Sequence, residues 1–86
     1  MIKATLDQNN QIIGRLLRGH RIVQGYSQGQ AAALLGISFQ QFQKYENGIN
    51  RISAASLLAL SRAWGTPVSE FFPNGKIFDP KFDPES

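Results

Sequence analysis

Residues 27–48 decide the fold, and they read Ser-Gln-Gly-Gln-Ala-Ala-Ala-Leu-Leu-Gly-Ile-Ser-Phe-Gln-Gln-Phe-Gln-Lys-Tyr-Glu-Asn-Gly. This stretch contains two start signals for short helices. Ser27 is followed three residues later by Gln30, and Ser38 is followed three residues later by Gln41. That is the spacing of the capping box, in which a hydroxyl and a side-chain amide satisfy free backbone N–H groups at a helix start. The stretch therefore predicts two consecutive helices, each with its own N-cap.

A tight turn separates the two predicted helices. Gly36 follows a pair of leucines, at the point where a helix end favours a residue that tolerates positive φ. Two capped helices joined in this way have the sequence form of a helix-turn-helix motif. The second helix carries Gln40, Gln43 and Lys44, whose amide and ammonium groups are able to read base edges. The pattern indicates a DNA-binding regulator.

The composition predicts one small domain without metal or cofactor. Eighty-six residues suffice for one modest core, and the chain contains no cysteine. A disulfide or cysteine-based metal site is therefore excluded, and the single His20 cannot form a zinc site alone. No apolar run reaches the ~18 residues of a membrane span, and the N-terminus has no secretory pattern. We expect a cytoplasmic protein with no membrane segment, no metal and no cofactor.

The charges are unevenly distributed along the chain. Residues 10–65 hold six lysines and arginines against one acid, Glu46, whereas residues 66–86 hold two lysines against four acids. A basic body with an acidic tail suits a polyanionic partner such as nucleic acid. Arginines on solvated helix faces would give the same composition, so the charge alone does not decide the function.

Helical periodicity and stop signals predict an all-α domain. Sustained alternation of apolar and polar residues is absent, so we expect no sheet. We expect a short flexible arm over residues 1–9, a five-helix domain over 10–73 and a tail over 74–86. The predicted helices cover about 10–24, 28–35, 39–46 and 54–64, followed by a short fifth helix that starts at Pro67 and contains Val68, Phe71 and Phe72.

The tail repeats a three-residue unit, once at Phe78-Asp79-Pro80 and again at Phe82-Asp83-Pro84. The prolines exclude a continuous helix there. Exposed phenylalanines without a partner would favour association. Phe78 and Phe82 therefore either lie on this domain or pack on a second subunit.

From Gly14 to Phe72 the chain resembles the phage-repressor type of helix-turn-helix family, also called Cro and XRE-like. The matching residues occur in the same order and spacing: Ile13-Gly14-Arg15, Arg21, Gly25-Tyr26-Ser27-Gln28, Leu35-Gly36-Ile37-Ser38, Tyr45-Glu46-Asn47-Gly48 and Ala63-Trp64-Gly65-Thr66-Pro67. The resemblance implies five helices, the third of which enters the major groove of DNA.

The resemblance also implies the roles of individual residues. Base reading is expected from Phe39, Gln40, Gln41, Gln43 and Lys44, with Gln41 near either the phosphates or a base edge. Phosphate contacts are expected from Gln28, Asn47, Asn50 and Arg51. For the two asparagines an alternative remains, because asparagine beside glycine is common in turns for conformational reasons alone. For Phe39 the alternative is a ring that packs on the turn.

Arg21 and Glu46 are expected to form a structural salt bridge between the first and third helices, as the resemblance implies. Glu46 is the one acid of residues 10–65, and an acid beside a groove-reading helix would repel DNA unless it were neutralised. His20 is expected to be a partly buried helix residue rather than a ligand.

The sequence thus predicts a sequence-specific transcriptional regulator, a repressor, that binds a palindromic operator as a homodimer. A second interpretation is an antitoxin-like autorepressor that binds a protein partner through its tail. We expect no enzyme, because the chain has no Ser-His-Asp set, no paired carboxylates on a common face and no phosphate-binding glycine loop.

Overall fold

A computed structural model describes the backbone of residues 2–73 and the side chains of residues 5–73. Four α-helices follow one another: α1 Ile2–Val23, α2 Gln28–Leu35, α3 Phe39–Glu46 and α4 Ala54–Trp64. This described part contains no strand, so the all-helical fold class is confirmed. The predicted tail over 74–86, including Phe78 and Phe82, lies outside the described residues.

The predicted short fifth helix is a 3-10 helix, Val68–Phe71, so residues 2–73 contain four α-helices rather than five. Its backbone bonds span three residues, from the Glu70 N–H to the Pro67 carbonyl and from the Phe72 N–H to the Ser69 carbonyl. Phe72 precedes Pro73, and a residue before proline avoids the α region. Phe72 is extended (φ −120°, ψ 152°), so the chain leaves the helix after a single turn.

The predicted flexible arm over residues 1–9 is also wrong, since α1 begins at Ile2 and residues 2–9 form its first turns. The first helix was predicted to start at about residue 10, but Asn9 and Asn10 both lie inside α1. No glycine or proline precedes Gly14, so no helix-breaking residue interrupts this part of α1. Leu6 and Ile13, seven residues apart on one face of α1, both line an apolar groove, and Leu6 is 50% exposed there.

The core is built from one apolar face of each helix. Its fully or nearly buried residues are Leu17, Ala31, Ala32, Phe42, Leu57, Leu60, Trp64 and Phe71. On α4, Leu57, Leu60 and Trp64 are buried in this core, whereas Ala54 and Leu58 are exposed. α2 packs against α3 and α4, and α1 packs against α3 and the 3-10 helix. α3 is thus supported from two sides.

The two predicted capping boxes differ from each other. At α2 both reciprocal bonds form, from the Gln30 N–H to the Ser27 hydroxyl and from the Ser27 N–H to the Gln30 side chain. At α3 the Ser38 hydroxyl accepts from the Gln41 N–H, but the Gln41 amide donates to Asn50 instead. Gly36 ends α2 at φ 69° as predicted.

Candidate nucleic-acid interface

α3 has one buried face and one exposed face. Phe42 is fully buried and Tyr45 is half-buried against the core. Phe39, Gln40, Gln43 and Lys44 are exposed. Helical spacing places residues i, i+3 and i+4 on the same side, so these four predicted base readers share one outward surface. We call this set, Phe39, Gln40, Gln43 and Lys44, the reading face.

The reading face is rich in hydrogen-bonding groups and carries a positive charge. Two glutamines each offer an amide donor and an amide acceptor, and Lys44 offers three donors. Phe39 is 49% exposed, so its ring is available at the N-terminal end of the helix. The one acid of α3, Glu46, is turned into the interior and is only 4% exposed. The outward surface therefore presents amides, an ammonium group and a ring, but no carboxylate.

Gln41 is placed differently from the other predicted base readers. It is half-buried, and its Nε2 donates to Asn50 Oδ1 over 3.0 Å. Asn50 Nδ2 donates in turn to the Ile49 carbonyl, 3.2 Å away. The Ile49 N–H also returns to the Lys44 carbonyl at 2.9 Å. Gln41 therefore joins the first turn of α3 to the loop that follows the helix, and the loop folds back on the helix end.

A buried ion pair joins α1 to α3. Arg21 Nε donates to Glu46 Oε2 over 2.6 Å, and Arg21 Nη2 donates to Glu46 Oε1 over 3.3 Å. The two side chains are 11% and 1% exposed. Arg21 Nη1 also donates to the Tyr26 carbonyl over 2.8 Å, which ties the pair to the segment before α2. This is the contact that the sequence predicted between these two residues.

Gln28, a predicted phosphate contact, takes part in the same network. Its Nε2 donates to Glu46 Oε1 over 2.9 Å, and the residue is half-buried. Glu46 therefore holds the first residue of α2 as well as Arg21 of α1. The other predicted phosphate residues, Asn47, Asn50 and Arg51, are exposed and lie within five residues of each other after α3. The structure thus places this group at the two ends of the helix-turn-helix.

Gly14 and Gly48 let α1 approach the end of α3 closely. The sequence analysis did not identify either glycine as a residue that positions the site. A Cβ atom on Gly14 would lie 2.5 Å from the backbone oxygens of Tyr45 and Glu46. Gly48 has φ 73°, and a Cβ there would lie 2.6–2.9 Å from atoms of Gln11. A glycine in the middle of a helix pattern was the available signal, since it often marks close packing.

His20 holds the 3-10 helix against α1. Its Nε2 lies 3.0 Å from the Glu70 carbonyl oxygen, and its ring meets Phe71 edge-on at a centroid distance of 5.4 Å. His20 is half-buried, as the sequence analysis expected of a helix residue. These contacts lie away from the reading face, so His20 supports the fold and takes no part in the candidate interface.

Within residues 2–73 no helix is both long enough and apolar enough to cross a membrane. The same part of the chain contains no group of three or more His, Cys, Asp or Glu residues that could hold a metal ion.

Comparison with known proteins agrees with this geometry. A family model described as a helix-turn-helix domain matches residues 12–71. An "uncharacterized transcriptional regulator in ATPase CF(0) region" of Rhodospirillum rubrum is 39% identical over 71 residues, which are 83% of this chain and 66% of that protein. An HTH-type transcriptional regulator of Sinorhizobium medicae is 45% identical over 60 residues, which are 70% of this chain and 43% of the relative.

A third relative, an HTH-type transcriptional regulator of Rickettsia conorii, is 35% identical over 63 residues, which are half of that protein. The chain therefore spans between about two fifths and two thirds of the length of these curated relatives. The matched region holds all of α2, α3 and α4 and the Arg21–Glu46 pair. The chain belongs to the Cro/XRE-like helix-turn-helix family.

Proposed function

We propose that this chain is a sequence-specific DNA-binding transcriptional regulator whose α3 enters the major groove. The observation that carries the proposal is the reading face of α3, which is exposed while the opposite face is fixed by buried Phe42 and the Arg21–Glu46 pair. A rigidly held helix loses little conformational freedom when it binds. The names of the relatives, which are transcriptional regulators, support the same function.

Gln40, Gln43 and Lys44 are the proposed base readers. A glutamine amide pairs with adenine N6 and N7, and a lysine ammonium with guanine O6 and N7. Phe39 has no donor, and its proposed contact is with a thymine methyl group. Each well-placed pair of hydrogen bonds discriminates against a wrong base by roughly 1–3 kcal/mol. Sequence preference should therefore change when Gln40 or Gln43 is replaced.

Gln28, Asn47, Asn50 and Arg51 are the proposed phosphate contacts. Gln28 is the first residue of α2, where free backbone N–H groups and the helix dipole favour an anion. Its amide carries two hydrogens, and the bond to Glu46 uses one of them. Arg51 is exposed in the loop after α3 and supplies charge. Gln41, bonded to Asn50, is proposed to act beside these phosphates by fixing that loop.

The operator is proposed to be a near-palindrome bound by a homodimer that represses transcription. α3 has only eight residues, so one domain contacts too few base pairs to find a site in a genome. Two copies related by a two-fold axis would read two half-sites about 34 Å apart. No catalytic constellation is part of this proposal, and the protein is proposed to act by binding alone.

Selection of bound duplexes from a random pool tests this function directly. The expected result is an enriched near-palindromic sequence, followed by tight binding of that duplex in fluorescence anisotropy. Affinity should fall about tenfold or more between about 50 and 200 mM salt, because the two Arg51 side chains of a dimer would each neutralise a phosphate and release counterions. Failure to enrich any sequence, or binding that salt leaves unchanged, would overturn the proposal.

A further inference from the structure

An apolar groove of about 280 Å³ lies beside the N-terminal half of α1. Leu6 and Ile13 of α1, Ile52 of the loop before α4, Leu57 of α4 and Phe72 line it. Leu6 is 50% exposed, so one wall of the groove is open to water. None of the four residues of the reading face lines this groove. It is therefore a second surface of the domain, with no role in base reading.

The volume and lining of the groove fit an aromatic side chain. A cavity of about 150 Å³ lined by leucine, isoleucine and phenylalanine is enough to bind benzene. This groove is larger and is also lined by leucine, isoleucine and phenylalanine, together with the polar residues Asn9, Asn10, Asn50 and Arg51. A single phenylalanine ring would fill much of it and cover Leu6.

Residues 74–86 of the same chain begin at the groove. Phe72 is one of its lining residues, and Pro73 follows directly. Phe78 is six residues beyond Phe72, and six residues reach up to about 20 Å when extended. Pro73-Asn74-Gly75 is a turn sequence that suits a reversal of the chain. Phe78 is therefore tethered close to the groove, which gives it a high effective concentration there.

The charges of the groove and of this segment are complementary. The residues that line the groove include the cation Arg51 and no acid. The segment carries Asp79 directly after Phe78, and it has three acids against two lysines. A ring placed in the groove would bring the adjacent carboxylate towards the Arg51 guanidinium. Asn9 and Asn10 also line the groove and supply amides for the backbone of an incoming segment.

We propose that Phe78 of the chain's own C-terminal segment fills this groove in cis, with Asp79 facing Arg51. The inference does not depend on the proposed base contacts, because none of those residues lines the groove, but the groove shares Asn50 and Arg51 with the proposed phosphate contacts. Phe78 is favoured over Phe82 because the shorter loop closes at a lower entropic cost. A second copy of this chain and a separate protein partner are the competing occupants.

Nuclear Overhauser effects in the full 86-residue chain test the proposal. The expected result is a set of contacts from the Phe78 ring protons to the methyl groups of Leu6, Ile13 and Leu57. A mixture of isotope-labelled and unlabelled chains separates cis from trans, and contacts within one chain only are expected. Contacts between chains would identify a second copy as the occupant and overturn the proposal, and so would contacts from Phe82 in place of Phe78.

Two substitutions, one in the groove and one in the C-terminal segment, test the same contact in the folded chain. Leu6→Asp changes an exposed residue of the groove wall, and it should move the Phe78 ring resonances to the values of an unstructured peptide. Phe82→Ala is the matched control, and it should leave the Phe78 resonances in place. If Leu6→Asp leaves the Phe78 resonances unchanged, or if they already have unstructured values in the parent chain, Phe78 does not occupy the groove.

Discussion

Arg21 of α1 and Glu46 of α3 form a two-bond ion pair inside the domain, with Arg21 Nε 2.6 Å from Glu46 Oε2. Glu46 is also the acceptor for Gln28 at the start of α2. One carboxylate thus fixes the relative positions of three helices. The ion pair also holds the acid nearest to the reading face in the interior, where the positive charge of Arg21 neutralises it.

Glu46→Ala should destabilise the domain strongly, because it leaves the Arg21 guanidinium buried without its partner. Breaking one side of a buried pair costs about 3–5 kcal/mol in the free energy of unfolding. Chemical denaturation followed by circular dichroism measures this change. The double variant Arg21→Met with Glu46→Leu is the control, since replacing both partners by apolar groups is often close to neutral. Equal losses in the single and double variants would contradict the role assigned to the pair.

Gly14→Ala should lower the free energy of unfolding by about 1–3 kcal/mol, the usual cost of forcing a methyl group into a packed interior. The added Cβ would lie 2.5 Å from two backbone oxygens of α3. Gly19→Ala is the matched control on the same helix, where a Cβ meets nothing within 4 Å. That control should stabilise the domain by up to about 1 kcal/mol. Equal effects of the two substitutions on stability would show that α1 and α3 are farther apart.

Gln41→Ala should weaken DNA binding several-fold without changing the preferred sequence. It removes the bond to Asn50 that fixes the loop after α3, while the reading face stays intact. Gln40→Ala is the comparison, and it should relax the preference at one base position of the selected operator. Repeating the duplex selection with both variants measures the two effects. A changed base preference for Gln41→Ala would instead make Gln41 a direct base reader.

The sequence predicted the helix-turn-helix accurately, because its boundaries depend on local signals. Ser27, Ser38 and Gly36 act through their own backbone neighbours, and the bounds of α2, α3 and α4 agree with the prediction. The predicted start of α1 near residue 10 was wrong, because Asn9 and Asn10 are residue types that suit a helix cap but both lie inside the helix. The fifth helix stops after one 3-10 turn because Pro73 restricts the preceding Phe72 to an extended conformation.

The candidate site was predictable in outline but not in its hydrogen bonds. The reading face follows from helical spacing, which the sequence contains. The bonds from Gln28 to Glu46 and from Gln41 to Asn50 join residues that are 18 and 9 positions apart. Such contacts depend on how the helices pack, and no local pattern encodes them. The close approach at Gly14 is of the same kind.

The central claim is that the reading face of α3 recognises DNA, and the affinity of the double variant Gln40→Ala with Lys44→Ala tests it most directly. Its binding to the selected duplex should be measured by fluorescence anisotropy beside the parent chain and Arg18→Ala, an exposed cation on α1. Two lost base contacts at roughly 1–3 kcal/mol each predict a fall in affinity of about thirtyfold or more. Arg18→Ala should change the affinity only slightly. A double variant that folds normally and binds the duplex as tightly as the parent chain would contradict the account.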